Sequence, residues 1–587
     1  MSSLTRATGQ GLLAKLLVAT LLGSCALPAI AQDAAATNVT ADQLLNANAD
    51  TANWLMYNRT YDGQRFSPLD QINKDNVKGL KLAYSISLMP PAGVAGNYKY
   101  AGLEGTPLVL NGKMFVTDGW SRVYKLDLTD PKRATIEWIM DPQSTPGASI
   151  VEPPNNKGVA LLGKNVYSLT FDGRLIATDA DTGEEVWEQN VQTDPKEGFT
   201  MAPLAIGKNI LIGTANGDAG GRHWIEARDA ETGEMKWQFY TVPEPGKPGS
   251  ETWKDSKNNW QNGGGAPWNT GTYDPAANLT YWGTGNPFPD FDPASRPGDN
   301  LYTNSVVALD PDTGELKWHF QYTPNESWDY DEIGSHILVD ADIDGQTRKL
   351  VTHFGRNGMY YGLDRANGSF VNGGQYVDKL TWTKGLDPKT GKPVEYDSAK
   401  DVQDYVLATR PGGDKGKVEE ACPTLQGGTN YFPVSYNANN KKLYAVAIEG
   451  CTTFPSPTQI QMGDTFTGSV VELDPVTGKV VKKRPTPFVQ YGGVLTTAGN
   501  LVFSGQVDGT FEAMDADTLD VLWSVNLGSQ ISAPPMTYTV NGKQYIAIEV
   551  GASPIINLQG YPAKGADPDA AANMQPASNI YFFELPS

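Results

Sequence analysis

The chain has 587 residues, with 66 Asp and Glu against 46 Lys and Arg and a formal net charge of −20. That length exceeds one ordinary core and calls for several domains or one large repetitive fold. The negative balance argues against a nucleic-acid partner, which needs a Lys/Arg surface, and suits solubility and docking to a basic protein.

The first element is a targeting segment. Arg6 gives a positive start, Leu12 to Leu22 is largely apolar, and Ala29-Ile30-Ala31 is a small-x-small cleavage site before Gln32. Residues 1–31 read as a cleaved export signal and 32–587 as a single mature domain, so the periplasm is the expected location. The apolar stretch is short for an anchor and carries Lys15, and no later stretch reads as a membrane span. Leu22-Gly23-Ser24-Cys25 also has the form of a lipoprotein site, but a complete cleavage site follows it. Removing the signal leaves Cys422 and Cys451. Two cysteines in an exported protein suggest one disulfide rather than two buried thiols. Its closure would stabilise by about 3–4 kcal/mol in the chain-entropy model. No CxxCH is present for attaching a c-type haem.

From Trp54 to Leu88 the chain reads as strands outside any repeat. Then one pattern recurs: "VYKLDLTDPKRATIEW" to Trp138, "LIATDADTGEEVW" to Trp187, "IEARDAETGEMKW" to Trp237, "VVALDPDTGELKW" to Trp318, "YYGLDRANG" around Asp364, "VVELDPVTGKVV" around Asp474 and "FEAMDADTLDVLW" to Trp523. Each reads as strand, tight turn, strand. Asp bonds the backbone ahead of it, Gly accepts positive φ, and the closing Trp packs between neighbouring sheets. Spacings of roughly 50 residues match four-stranded propeller blades, and the longer gaps before Asp310 and Asp474 imply insertions. Seven copies are visible. With 54–88 and the C-terminal "NIYFFELP" sharing a last blade, the expectation is an all-β, eight-bladed propeller with tryptophan docking motifs. Pro243 to Gly265 reads as a long loop on one rim.

Propellers often bind partners and do no chemistry, and no HExxH, GxSxG, P-loop or Rossmann fingerprint is present. Four local features nonetheless point to a site. Trp268 follows three glycines that allow close approach to something flat. Asn286 in "GTGNP" sits at a strand end. "ESWDYDEIG" presents Asp329 and Asp331, and "GRNG" presents Arg356 at a turn. An amide oxygen with carboxylates makes a hard, oxygen-only metal site.

With these motifs the sequence resembles the pyrroloquinoline quinone (PQQ)-dependent alcohol dehydrogenases over nearly the whole mature chain, from "YNRTYDGQRFSPLDQINKDNVKGLKLAY" to "NIYFFELP". "GTGNP", "RPGDN", "WDYD" and "TAGNLVFSGQVDG" carry the resemblance. It implies that Trp268 is the floor for the flat quinone and Asn286 a metal ligand. It makes Asp329 the base taking the alcohol proton, and Arg356 a partner of the quinone oxygens. Glu104, Thr200 and Asn430 match cofactor-contacting positions, and Cys422 and Cys451 the family's disulfide. There are departures. Val151 and Glu152 stand where relatives carry adjacent cysteines. Lys157 stands for a cofactor-binding Arg and loses its planar fork. Asp218 stands for a metal-binding Glu, Tyr491 for a Trp, and Ile555 for a capping Trp. Less aromatic cover implies bulky or secondary alcohols.

Asp331, two residues after the base, is the position that distinguishes lanthanide-type from calcium-type relatives. A trivalent ion better offsets the combined charge of Asp218, Asp329 and Asp331 and is a stronger Lewis acid. The resemblance therefore implies PQQ, Ca2+ or a lanthanide ion, an alcohol substrate and a soluble cytochrome c as acceptor. The alternatives are a non-catalytic envelope scaffold built from the same repeats, and a hydrolase with paired carboxylates, for which no pair can be placed.

Overall fold

Asp179, Asp229 and Asp310 each accept the backbone N–H groups two and three residues on, so these Asp-x-x-Thr-Gly stretches close tight turns between antiparallel strands. The computed structural model of the chain describes residues 37–88, 102–145, 153–255, 257–408, 420–456, 459–551 and part of 553–586. The export signal at 1–31 with Cys25, and Val151, Glu152 and Ile555, lie outside the described residues.

Among the described residues, eight sheets of four antiparallel strands are present, one of them with a short parallel fifth strand, Phe66–Ser67. In chain order they occupy 108–140, 160–190, 204–240, 272–321, 336–375, 435–486 and 490–526. The eighth joins Met536–Val540, Lys543–Gly551 and Ser578–Glu584 to Lys81–Ser87 from the other end of the chain, in register from Lys81↔Glu584 to Ser87↔Asn579. The segment 54–88 does not all enter that sheet. Trp54 bridges to Val109 in the first, and Phe66–Ser67 pairs with Thr496 and Thr497 in the seventh. An N-terminal segment divided among three sheets ties the two ends of the chain together.

Burial follows from this stacking. A middle strand such as Ser305–Leu309 is buried at every position, whereas the outermost Thr135–Met140 alternates exposed and half-buried residues. Middle strands are covered on both faces by neighbouring sheets, so they read as continuous apolar runs, while the outer strand keeps one face in water.

The closing tryptophans join consecutive sheets. Trp138, Trp187, Trp237 and Trp318 donate Nε1 to the backbone oxygens of Ala180, Ala230, Pro311 and Arg365, in the turn of the next repeat, at 2.9–3.3 Å. Their rings lie on the glycines of those same turns. A Cβ on Gly183, Gly233, Gly314 or Gly368 would stand 2.4–2.9 Å from a ring carbon. Trp523 bonds Leu80 O at 2.9 Å, leading into the shared sheet.

Two insertions break the pattern. Among the described residues between 240 and 272, the short 3-10 turns Ser250–Thr252 and Asn259–Asn262 are the only regular elements, which bears out a long loop there. Glu420–Ala421, Thr452–Ser456 and Gln459–Met462 make a separate three-stranded sheet, stapled beside its first pairing by the Cys422–Cys451 disulfide. No helix among the described residues is long and apolar enough to cross a membrane.

Two glycines test the joint. Gly314 has φ 72° and a Cβ there would stand 2.5 Å from the Trp237 ring, whereas Gly207 has φ 61° and nothing within 4 Å of an added Cβ. Gly207→Ala and Gly314→Ala each lose about 1–2 kcal/mol to the left-handed backbone. Gly314→Ala is expected to lose a further ~1–3 kcal/mol to overpacking, read as a lower guanidinium midpoint. Equal midpoints would remove the indole–glycine contact as the joint between sheets.

Candidate active site

In an antiparallel meander, the entry to the first strand and the link between the second and third lie at the same end of the sheet. The residues singled out in the sequence fall at those places. Glu104, Lys157, Thr200, Trp268, Asp331 and Asn430 stand three to five residues before the first strands of six successive sheets, which begin at Leu108, Ala160, Leu204, Thr272, His336 and Ser435. Tyr491 is the second residue of the first strand of the seventh, which begins at Gln490. Asp218, Asn286 and Arg356 lie between the second and third strands of sheets three, four and five. All eleven residues, Asp329 included, line one cavity of about 250 Å³.

The aromatic residues of "WDYD" explain how its acids reach that cavity. Trp328 and Tyr330 are fully buried, stacked with ring centroids 5.5 Å apart, in an apolar cluster with Trp382, Tyr405 and Phe454. Tyr330 Oη donates to Pro423 O at 2.6 Å. Anchoring 328 and 330 on one side leaves Asp329 and Asp331 to the other. Asp329 takes φ 67°, a value costly outside glycine and concentrated at functional sites.

Asp331 holds the site together. Its Oδ1 accepts the Asn286 backbone N–H at 2.6 Å, and its Oδ2 accepts Trp268 Nε1 at 3.1 Å and Arg356 Nη1 at 2.7 Å. Gly285 makes room for it, since a Cβ there would stand 2.3 Å from Oδ1. At 6% exposure Asp331 does not face solvent. Arg356 is fixed further by Leu425 O, which accepts from Nη2 at 2.8 Å, and by Glu332 Oε2, which accepts its backbone N–H at 2.9 Å. Asp329 is held loosely by comparison. Its Oδ2 is 3.5 Å from Arg356 Nη2, and its buried Oδ1 has no hydrogen-bond partner. An unsatisfied buried acceptor costs on the order of 1–3 kcal/mol, so it marks a place completed by a ligand.

The charges crowd. Burial, then Asp218, pushes the Asp329 carboxyl well above the usual range, against the pull of Arg356. Burial, then Asp331, raises Asp218 to about 6. Burial raises Asp331 although Arg356, Asn286 and Trp268 oppose it. Burial works against the Arg356 cation, but Asp329 and Asp331 outweigh it and raise its pKa.

The other wall is flat and cationic. Lys157 Nζ lies over the rings of Trp268 and Tyr431, 5.0 and 4.7 Å from their centroids, and 3.4 Å from Glu104 Oε2. Thr200 Oγ1 donates to Trp268 O at 3.4 Å, and Thr200 O accepts the Lys157 N–H at 2.9 Å. Gln426 Oε1 accepts from Asn430 Nδ2 at 3.1 Å and from Tyr491 Oη at 2.8 Å. Phe291, Leu425 and the exposed Ile460 of the inserted sheet add an apolar part. An all-oxygen donor set with one unpartnered carboxylate oxygen fits a hard cation. An indole beside buried Lys157 and Arg356, whose Nε also lacks a partner, fits a flat anionic ring.

Sequence reading passes over Asp290, Glu332, Gln426 and Tyr431. Asp290 Oδ1 accepts Asn286 Nδ2 at 2.9 Å, and its nearness to "GTGNP" was the available signal. Glu332 follows the "DYD" acids directly and also lies 2.8 Å from His353 Nε2. The glycines before Trp268 serve a different contact from the one expected. A Cβ on Gly264 would stand 2.7 Å from Asn286 O, so the close approach is between two backbones of the site itself.

Known proteins share this architecture. The family model "PQQ: Glucose/ethanol/alcohol dehydrogenase, beta-propeller domain" matches residues 54–373 and 459–546. The chain is 35% identical to the quinohemoprotein alcohol dehydrogenase ADH-IIG of Pseudomonas putida, over 92% of this chain and 78% of that protein. It is 35% identical to the quinoprotein alcohol dehydrogenase PedH of Pseudomonas putida, over 85% and 86%. Among solved structures, the quinohemoprotein alcohol dehydrogenase of Comamonas testosteroni superposes with a TM-score of 0.80 at 33% identity, covering 93% of this chain and 82% of that one. A europium-containing methanol dehydrogenase superposes with a TM-score of 0.81 at 30% identity, covering 93% and 100%. Sequence, sheets and cavity together make this chain a member of the PQQ-dependent alcohol dehydrogenases, quinoprotein enzymes built on a β-propeller domain.

Proposed function

We propose that this protein is a periplasmic enzyme that oxidises a bulky or secondary alcohol to an aldehyde or ketone, with Asp329 as general base. The observation that carries the base is the buried, unpartnered Asp329 Oδ1 in a cavity that Trp268 and Arg356 also line. A raised carboxyl pKa brings a base closer to working pH and strengthens its hold on a proton. Arg356, anchored through Asp331 and Leu425, keeps a fixed positive charge beside that proton transfer. Trp268, Lys157, Glu104, Thr200, Asn430 and Tyr491 would hold PQQ, which when bound accepts the two electrons of the alcohol C–H bond as hydride. Asp218, Asn286, Asp329 and Asp331 would hold the metal, a Lewis acid when bound.

Crowded carboxylates around one guanidinium favour a lanthanide over calcium, and similarity to a europium-containing methanol dehydrogenase supports that choice. The apolar lining by Phe291, Leu425 and Ile460 supports a substrate with a hydrocarbon body. The net charge of −20 supports a basic cytochrome c as one-electron acceptor. The eight sheets, with the two chain ends sharing the last, support a closed ring of eight blades. A scaffold would give no reason for a buried carboxylate oxygen left without a partner.

The reading is tested by incubating apo-protein with PQQ plus Ca2+ or La3+ and assaying dye reduction with primary, secondary and bulky alcohols. No turnover and no retained quinone in any combination would return the protein to the scaffold reading. Asp329→Asn should lower kcat by about 10²–10⁴-fold while quinone absorbance in the purified protein persists; activity within a few-fold of wild type would remove Asp329 as base. The acid cluster also sets a pH dependence. Asp218 keeps its proton up to about 6 in the ion-free protein, so folding takes up protons and acid favours that state. Binding a cation must expel them, so metal affinity should rise as pH is raised from about 5 to about 7. Calorimetry in buffers of different ionisation enthalpy measures that release, and binding with no proton release would contradict the assignment.

A further inference from the structure

Asp290 lines the same cavity as the residues above, half-buried, in the loop four residues after Asn286. Its Oδ1 accepts the Asn286 side-chain Nδ2 at 2.9 Å, and the same amide acts on Asp218. An amide N–H2 that serves two carboxylates lies where their fields converge, which is also where a cation would be drawn. The buried guanidinium on this loop acts on Asp290 through its field, with its hydrogen bonds given elsewhere. Arg296 directs its donors to the carbonyl oxygens of Pro289, Asp290 and Glu326 and to Asn300 Oδ1, at 2.5–3.0 Å. It therefore shapes the loop and leaves the Asp290 carboxylate to the cavity. A second feature points to a missing ion: Asp329, 7% exposed, brings an oxygen without any hydrogen-bond partner to the same space.

Resting on the metal-dependent reading above, we propose that Asp290 is a direct carboxylate ligand of the metal, forming with Asp218, Asn286, Asp329 and Asp331 a four-carboxylate set that selects a trivalent over a divalent ion. Asp329 and Asp331 pair with the Arg356 guanidinium at 3.5 and 2.7 Å, and Asp218 and Asp290 line the same cavity. One guanidinium paired with two of these four acids leaves an excess of negative charge that a trivalent cation offsets better than calcium does. Asp290 also makes good a short arm. Asp218 carries its carboxylate on one methylene, and an acid reaching in from a different loop completes the oxygen shell that a large ion needs.

The competing role for Asp290 is only to orient the Asn286 amide, and substitutions separate the two. Asp290→Asn keeps an acceptor oxygen for Asn286 and loses the charge; Asp290→Glu keeps the charge; Asp290→Ala loses both. Tb3+ is titrated into full-length apo-protein, its luminescence sensitised through Trp268, with Ca2+ as competitor. Far-UV circular dichroism confirms that each variant is folded. Asp290→Asn is expected to weaken Tb3+ by roughly 100-fold and Ca2+ by less than about 10-fold. Luminescence lifetimes in H2O and D2O should show at least one additional bound water. Asp290→Glu should keep the preference for Tb3+. Tb3+ bound by Asp290→Asn within about threefold of wild type, with unchanged hydration, overturns the ligand and leaves the metal-dependent function standing. A wild-type chain that binds neither ion overturns that function and this inference with it.

Discussion

An indole seated on the turn glycine of the next repeat sets the distance between consecutive sheets, and the cavity depends on those distances. Trp138 on Gly183, Trp187 on Gly233, Trp237 on Gly314 and Trp318 on Gly368 are the same contact four times over, each with its N–H on a carbonyl of the turn it covers. The glycine serves twice: it takes the left-handed backbone the turn requires, and it leaves the surface on which the ring lies. With sheets placed in this repeated way, the same structural position, the entry to the first strand, contributes a residue to a common space from six successive sheets. A site assembled from residues as distant in the chain as Glu104 and Tyr491 needs no long-range contact of its own to be specified.

Within that space the controlling term is electrostatic. Asp331 is committed on both oxygens, to the Asn286 backbone on one side and to Trp268 and Arg356 on the other. It therefore joins the acid wall to the aromatic, cationic wall and fixes their separation. Asp329 is left with an oxygen unmet and a carboxyl that burial and Asp218 push up. Bringing these acids together is unfavourable in the ion-free protein. The rest of the fold holds them there: the stacked Trp328 and Tyr330, the three donors to Asp331, and the Arg296 contacts that shape the Asp290 loop.

Much of this was legible in the residues. Turn chemistry, repeat spacing and the recurrent Trp gave the sheets, and the disulfide between Cys422 and Cys451 is the one expected. Other features were not legible, for identifiable reasons. Nothing local tells that Trp54 bridges the first sheet while Lys81–Ser87 enters the eighth, because each pairing depends on where the other end of the chain arrives. Asp290 looks like an ordinary loop acid until Arg296 is seen to bond its backbone and spare its carboxylate. The glycines before Trp268 look made for a ligand, and only the packed structure shows that Gly264 among them accommodates Asn286 and Phe288.

What the sequence by itself determined is local and periodic: strand, Asp-x-x-Thr-Gly turn, strand and tryptophan, together with the residue types able to bind a hard cation and a flat ring. Those follow from backbone preferences and side-chain chemistry acting over a few residues. The partners were decided only by the tertiary structure: which oxygen of Asp331 takes which donor, which carboxylate is left open, and which further acid joins the set. Such choices depend on the fields and exclusion of water that arise once sheets far apart in the chain face one another, and no short stretch of residues contains them.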